Sequence, residues 1–116
     1  MSGFLEDDKG NKSSKRLNQT IIVWGAIEAK PEHFDQVLAL SLEHVHRSRL
    51  EAGCISHSVN IDAENSMRLV FFEEWQDMAA LQAHFALPAS NEFVRSVNEM
   101  AAESAEMRIF EASEVG

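Results

Sequence analysis

From Thr20 the chain runs Ile21, Ile22, Val23, Trp24, Gly25, Ala26 and Ile27, apolar at odd and even positions alike. A strand of that pattern is covered on both faces. Lys30 and Pro31 end it, because proline lacks a backbone donor and is pre-set for a first helical turn. Phe34, Val37, Leu38, Ser41, Leu42, Val45 and Ser48 then share one arc of a helical wheel, with Glu32, Asp35, Glu43 and Arg47 mostly outside it. This spacing predicts an amphipathic helix. It closes at Glu51-Ala52-Gly53, where glycine suits a left-handed residue.

Cys54 to Ile61 alternates Ile55, His57, Val59 and Ile61 against Cys54, Ser56, Ser58 and Asn60, the pattern of a half-polar strand. A polar turn, Asp62 to Ser66, leads into Met67 to Trp75, with Met67, Leu69, Phe71, Glu73 and Trp75 on one face. Arg68, Val70, Phe72 and Glu74 take the other face, and the two runs predict a hairpin. Asp77 is placed to cap a short helix carrying Met78, Leu81 and Phe85, stopped near Leu87 by Pro88. Ser90 is placed to cap a further helix with Phe93, Val94, Val97, Met100 and Ala101 on one face. A last strand is expected near Ala105 to Ala112.

The resulting order, β-α-β-β-α-α-β, is that of a ferredoxin-like α+β domain, an antiparallel sheet with helices on one face. The first and third strands are apolar on both faces, so the face away from the helices needs cover. A twin sheet across a two-fold axis supplies it most economically, and a homodimer is expected. At 116 residues the chain holds one core and not two. The expected domain is 19–116, preceded by a polar, disordered N-terminal arm over residues 1–18.

Charge narrows the partners. A formal net charge of -9 without a basic stripe argues against nucleic acid, and the lysines and arginines, concentrated in Lys9 to Arg16 and around Arg47 and Arg49, are too few and too mixed with acids to hold an anionic membrane surface. Cys54 is the only cysteine, which excludes an intrachain disulfide and a paired-cysteine metal or redox site. With no apolar leader or spanning run, a cytoplasmic protein is expected. His44 and His46 do not form a metal pair, since two residues apart on a helix they point about 160° from each other. No metal site is expected.

Several local motifs resemble the antibiotic biosynthesis monooxygenase family. They are Lys30-Pro31 leading into the first helix, Glu51-Ala52-Gly53-Cys54 opening the second strand, Glu73-x-Trp75 ending the third, and Leu81-x-Ala83-His84-Phe85 followed by Pro88. The resemblance covers about Ile21 to Ala112. It implies a dimeric α/β barrel with one apolar pocket per subunit, in which a small aromatic substrate, quinol-like or anthrone-like, is oxidised by dioxygen without flavin, haem or metal. A non-catalytic ligand-binding barrel and a small isomerase are the alternatives on the same fold. Many relatives read His-x-x-Thr-Pro-His after the second helix, whereas this chain has His84-Phe85-Ala86-Leu87-Pro88-Ala89, with Leu87 and Ala89 in place of two polar groups. Haem-degrading relatives rely on an asparagine in the first strand and a late histidine; here Trp24, Gly25 and Ala26 stand in that strand and no histidine follows His84.

The candidate catalytic residue is His84, about 90° from the centre of the Met78-Leu81-Phe85 face, where an imidazole at a helix edge can take a phenolic proton near neutral pH. A structural, solvated histidine is the other reading. Trp75, Glu73, His57, Phe85 and Phe71 are the candidate substrate-binding residues. Trp75 stacks on a flat ligand or belongs to the core. Glu73 either pairs with Arg68, Arg108 or the other subunit, or acts as a carboxyl base of raised pKa. His57 lines the pocket or the sheet interface.

Overall fold

The computed structural model describes residues 19–116; the arm expected over residues 1–18 lies outside the described residues. Strand β1 (Gln19–Glu28) leads through a short 3-10 turn (Pro31–His33) into helix α1 (Phe34–Ser48). Strands β2 (Cys54–Asp62) and β3 (Asn65–Trp75) form the hairpin, followed by α2 (Met78–Ala86), α3 (Pro88–Glu99) and β4 (Glu106–Ser113). The element order is the expected one. The sheet order is β2-β3-β1-β4, antiparallel throughout. It is an open sheet and not a closed barrel, so the barrel implied by the family resemblance is not closed within one chain.

The register assigns every strand residue to a face. Toward the helices, Ile21 pairs with Trp75, Val23 with Glu73, Gly25 with Phe71 and Ile27 with Leu69, while β2 sets His57 opposite Glu73 and Val59 opposite Phe71. Away from them, Trp24 lies between Phe72 and Arg108, and Ile22 between Glu74 and Phe110. A bulge between Cys54 and Ser56 interrupts the predicted alternation of β2: Ile55 is unpaired and 53% exposed, while Cys54 pairs with Trp75.

Two apolar clusters lie under the helices. One gathers Ile27, Ala29, Val37, Val45, Leu69, Phe71 and Val97; the other gathers Ile21, Val23, Trp75 and Leu81. Each large side chain buried there contributes about 1.5–3 kcal/mol. Capping and turn chemistry fix the connections. The Asp77 side chain accepts from the Ala80 backbone N–H, as expected. Gly53 is left-handed, with φ of 84°, although α1 itself stops at Ser48. Ser90 does not cap the next helix: Pro88 occupies its first turn, and Ser90 is buried inside it.

Both helices α1 and α2 are rotated from their predicted settings. On α1 the buried positions are Val37, Ser41, His44, Val45 and Ser48, and Leu42 is exposed. On α2 they are Leu81 and His84, with Met78 and Phe85 partly exposed. In each case the buried stripe shifts by roughly 50° toward a histidine.

Candidate functional site

Between the two apolar clusters the helices and sheet bury a polar seam. His44 comes from α1, His57 from β2, Glu73 from β3 and His84 from α2, all of them buried. The three imidazole centroids are 5.1 to 5.7 Å apart. His84 packs on the Trp75 indole at 4.7 Å, and His44 lies flat on Phe93 at 4.1 Å. The histidines therefore bridge the second cluster, through Trp75, to the edge of the first, through Phe93.

His84 is not at a solvated helix edge: it is 3% exposed, because α2 turns that side to the sheet. Its Nδ1 is 2.8 Å from Oε1 of Glu51, in the turn after α1. A carboxylate only accepts, so Nδ1 carries the proton and Nε2 is left as the ring's free acceptor. Glu51 thereby fixes both the tautomer and the plane of the imidazole.

The opposite logic holds at His44. Nη2 of Arg47 donates to its Nδ1 at 3.0 Å and also to the Ala89 carbonyl at 3.4 Å. A guanidinium only donates, so the neutral ring carries its proton on Nε2. Burial, then the neighbouring His57, His84 and Arg47, push the His44 pKa down to about 3.

Glu73 receives the Trp75 indole N–H on Oε1 at 2.8 Å, and its Oε2 is 3.4 Å from Nε2 of His57. Burial alone would raise its pKa, but the contacts to His57 and Trp75 outweigh it and hold the carboxyl below its ordinary value. This corrects two expectations. Glu73 is not a carboxyl of raised pKa, and it does not pair with Arg68 or Arg108, which lie on the other face of the sheet and flank the Trp24 ring at 5.7 Å. His57 satisfies neither ring nitrogen with a well-aligned hydrogen bond among the described residues. The Cys54 thiol is pushed up by burial, then by Glu51 and Glu73, and stays protonated.

A cavity of about 290 Å³ lies beside this seam, between α2, α3 and the sheet, reaching β4. Of the sequence-derived candidates, His84, Glu73, Phe71 and Phe85 line it; Trp75 and His57 stand behind this wall in full burial. Its remaining surface is mostly apolar, with Phe93, Val94 and Val97 from α3. Gly25, with no side chain, leaves the floor open between Phe71 and Met107. His44 and Ser90 also face the cavity, and neither was a sequence candidate. The signal for His44 was its spacing: it stands three residues from Ser41 and seven from Val37, on the stripe that packs inward.

The family model for antibiotic biosynthesis monooxygenases matches residues 20–96. An uncharacterised protein of Synechocystis sp. is 37% identical over 96% of this chain and 71% of its own length. A crystal structure of an antibiotic biosynthesis monooxygenase is 30% identical, with a TM-score of 0.75 over 81% of this chain and 99% of its own. A conserved protein from Methanosarcina mazei is 25% identical, with a TM-score of 0.77 over 82% of this chain and 94% of its own.

Proposed function

This chain belongs to the antibiotic biosynthesis monooxygenase family, and from that premise we propose that it oxidises a small quinol-like or anthrone-like aromatic with dioxygen, using no flavin, haem or metal. The observation that carries the reading is the Glu51–His84 pair set in the wall of an apolar cavity. His84 Nε2 accepts the acidic proton of the substrate. Glu51 holds the resulting imidazolium and keeps the ring in place. The substrate anion is then the reductant. It gives electrons to dioxygen, a carbon–oxygen bond forms, the imidazolium returns its proton to the peroxide, and the hydroperoxide loses water together with the remaining hydrogen of that carbon, so one oxygen atom enters the product and the other leaves as water. Phe71, Phe85 and Phe93 exclude solvent and present flat surfaces to an aromatic nucleus. Glu73 is part of the wall, the Trp75 indole supports it from behind, and His57 backs Glu73.

The second sheet face supports a homodimer. Ile22, Trp24, Val70, Phe72 and Phe110 share it with no helix of the described residues over them, and Phe72 and Phe110 are 39% and 47% exposed. A twin sheet on this face completes the two-layer barrel. We place the dimer in the cytoplasm on the lone cysteine; among the described residues no helix is long and apolar enough to cross a membrane.

Binding without turnover is the second reading, favoured by Leu87 at the α2–α3 junction and Ala89 in the first turn of α3, neither of which brings a polar side chain. An oxygen electrode separates the two. Purified protein given a hydroquinone or anthrone should consume dioxygen in proportion to protein added. Thermal protection by the same compounds with no oxygen uptake above background would favour the carrier.

A further inference from the structure

We propose that His44, His57 and His84 form a binding site for one divalent transition-metal ion, with zinc(II) or cobalt(II) as the ions of choice. One ring nitrogen from each histidine lies within 4.8 Å of those of the other two. They reach this point from α1, β2 and α2, three separate elements that share no local periodicity. A tetrahedral zinc site with bonds of about 2.0–2.1 Å places its nitrogens about 3.4 Å apart, so closure asks for modest ring rotations. At His57 they break no well-aligned hydrogen bond among the described residues, only the 3.4 Å approach of Nε2 to Glu73.

The surroundings suit an ion. Glu51 accepts from Nδ1 of His84, the carboxylate–histidine arrangement that turns the other ring nitrogen toward a metal and raises its basicity. Glu73 keeps Oε1 on the Trp75 indole and sets Oε2 beside Nε2 of His57, where it holds that ring without belonging to the three-nitrogen cluster. A three-imidazole set with an open fourth position favours borderline transition ions over magnesium or calcium, which prefer all-oxygen cages. Two carboxylates oppose the ion's charge. The adjoining cavity, which His44 and His84 line, is the entry path. Ligation through Nε2 of His44 moves that ring's proton to Nδ1 and releases Arg47, which retains the Ala89 carbonyl. This inference goes beyond the oxygenase reading and does not rest on it. An ion held by His84 Nε2 competes with substrate deprotonation, so loading the site should suppress that activity.

The test is titration of the chelator-treated full chain with cobalt(II), followed by visible absorption and equilibrium dialysis. One ion per chain with a tetrahedral cobalt spectrum is expected. His44→Leu and His57→Gln should each weaken binding at least tenfold, while His46→Ala, two residues on and exposed on the other side of the same helix, should leave it unchanged. Binding at micromolar cobalt that is absent, or that is unaltered in the first two variants, would overturn the proposal. X-ray absorption of the zinc-loaded natural chain reads the site without any variant. Three imidazole nitrogens at about 2.0 Å support it; a sulfur neighbour or an all-oxygen shell overturns it. Neither readout involves oxygen uptake, so a chain that binds cobalt but never consumes dioxygen defeats the oxygenase reading alone.

Discussion

His84 Nδ1 and Glu51 Oε1 are 2.8 Å apart across a gap of 33 residues, and both side chains are largely buried. Removing the imidazole therefore strands a carboxylate in a poorly hydrated site and opens a void against Trp75. His84→Ala should lower unfolding free energy by about 2–4 kcal/mol. That exceeds the loss of about 1 kcal/mol or less expected for a helix-edge histidine. His84→Gln, which can still donate toward Glu51, should recover part of the loss. Urea unfolding measures both; a midpoint for His84→Ala equal to that of the natural chain would contradict the buried pair.

Gly53 has φ of 84°, and a Cβ there would stand 2.5 Å from the Cβ of Ala80. Gly53→Ala meets both a disfavoured backbone region and a clash between the α1–β2 turn and α2. A loss of about 2–3 kcal/mol is expected. Thermal unfolding within a degree of the natural chain would contradict this account of the turn.

What the sequence made legible follows from periodicity. Alternation along Met67 to Trp75 placed Leu69, Phe71, Glu73 and Trp75 on one face, and the register confirms it. The helix rotations were not legible, for a physical reason. A hydrophobic arc scores histidine as polar, so Leu42 and Phe85 drew the predicted stripes toward themselves, whereas the real stripes bury His44 and His84. Burial of an imidazole depends on partners elsewhere in the chain, here Arg47, Glu51 and Phe93. The Ile55 bulge was hidden likewise, because one extra residue leaves the alternation intact in sequence while shifting it in space.

Gly25 sits on the cavity side of β1, where an added Cβ would make only ordinary contacts, 3.4 Å to the Glu106 carbonyl and 3.9 Å to the Phe71 Cβ. Gly25→Val should thus fold within about 1 kcal/mol of the natural chain while filling the floor of the cavity. Thermal protection by an aromatic ligand should fall at least tenfold in apparent affinity. Undiminished protection would place the ligand elsewhere.

Trp24 has the guanidinium groups of Arg68 and Arg108 5.7 Å from its ring, on the sheet face that no described helix covers. If a second copy covers that face, Phe72→Arg adds a third cation among apolar surface and should shift sedimentation from dimer to monomer at micromolar concentration, with secondary structure retained. A natural chain that already sediments as a monomer would contradict the proposed assembly.

The most direct test of the central claim follows the oxygen atoms themselves. Chelator-treated protein is given an anthrone-type substrate under ¹⁸O-labelled dioxygen, and the product is analysed by mass spectrometry beside the folded His84→Gln variant. The account predicts one labelled oxygen atom per product molecule from the natural chain, and a rate lower by on the order of a hundredfold in the variant. Unlabelled product, or equal rates from the two proteins, would contradict it.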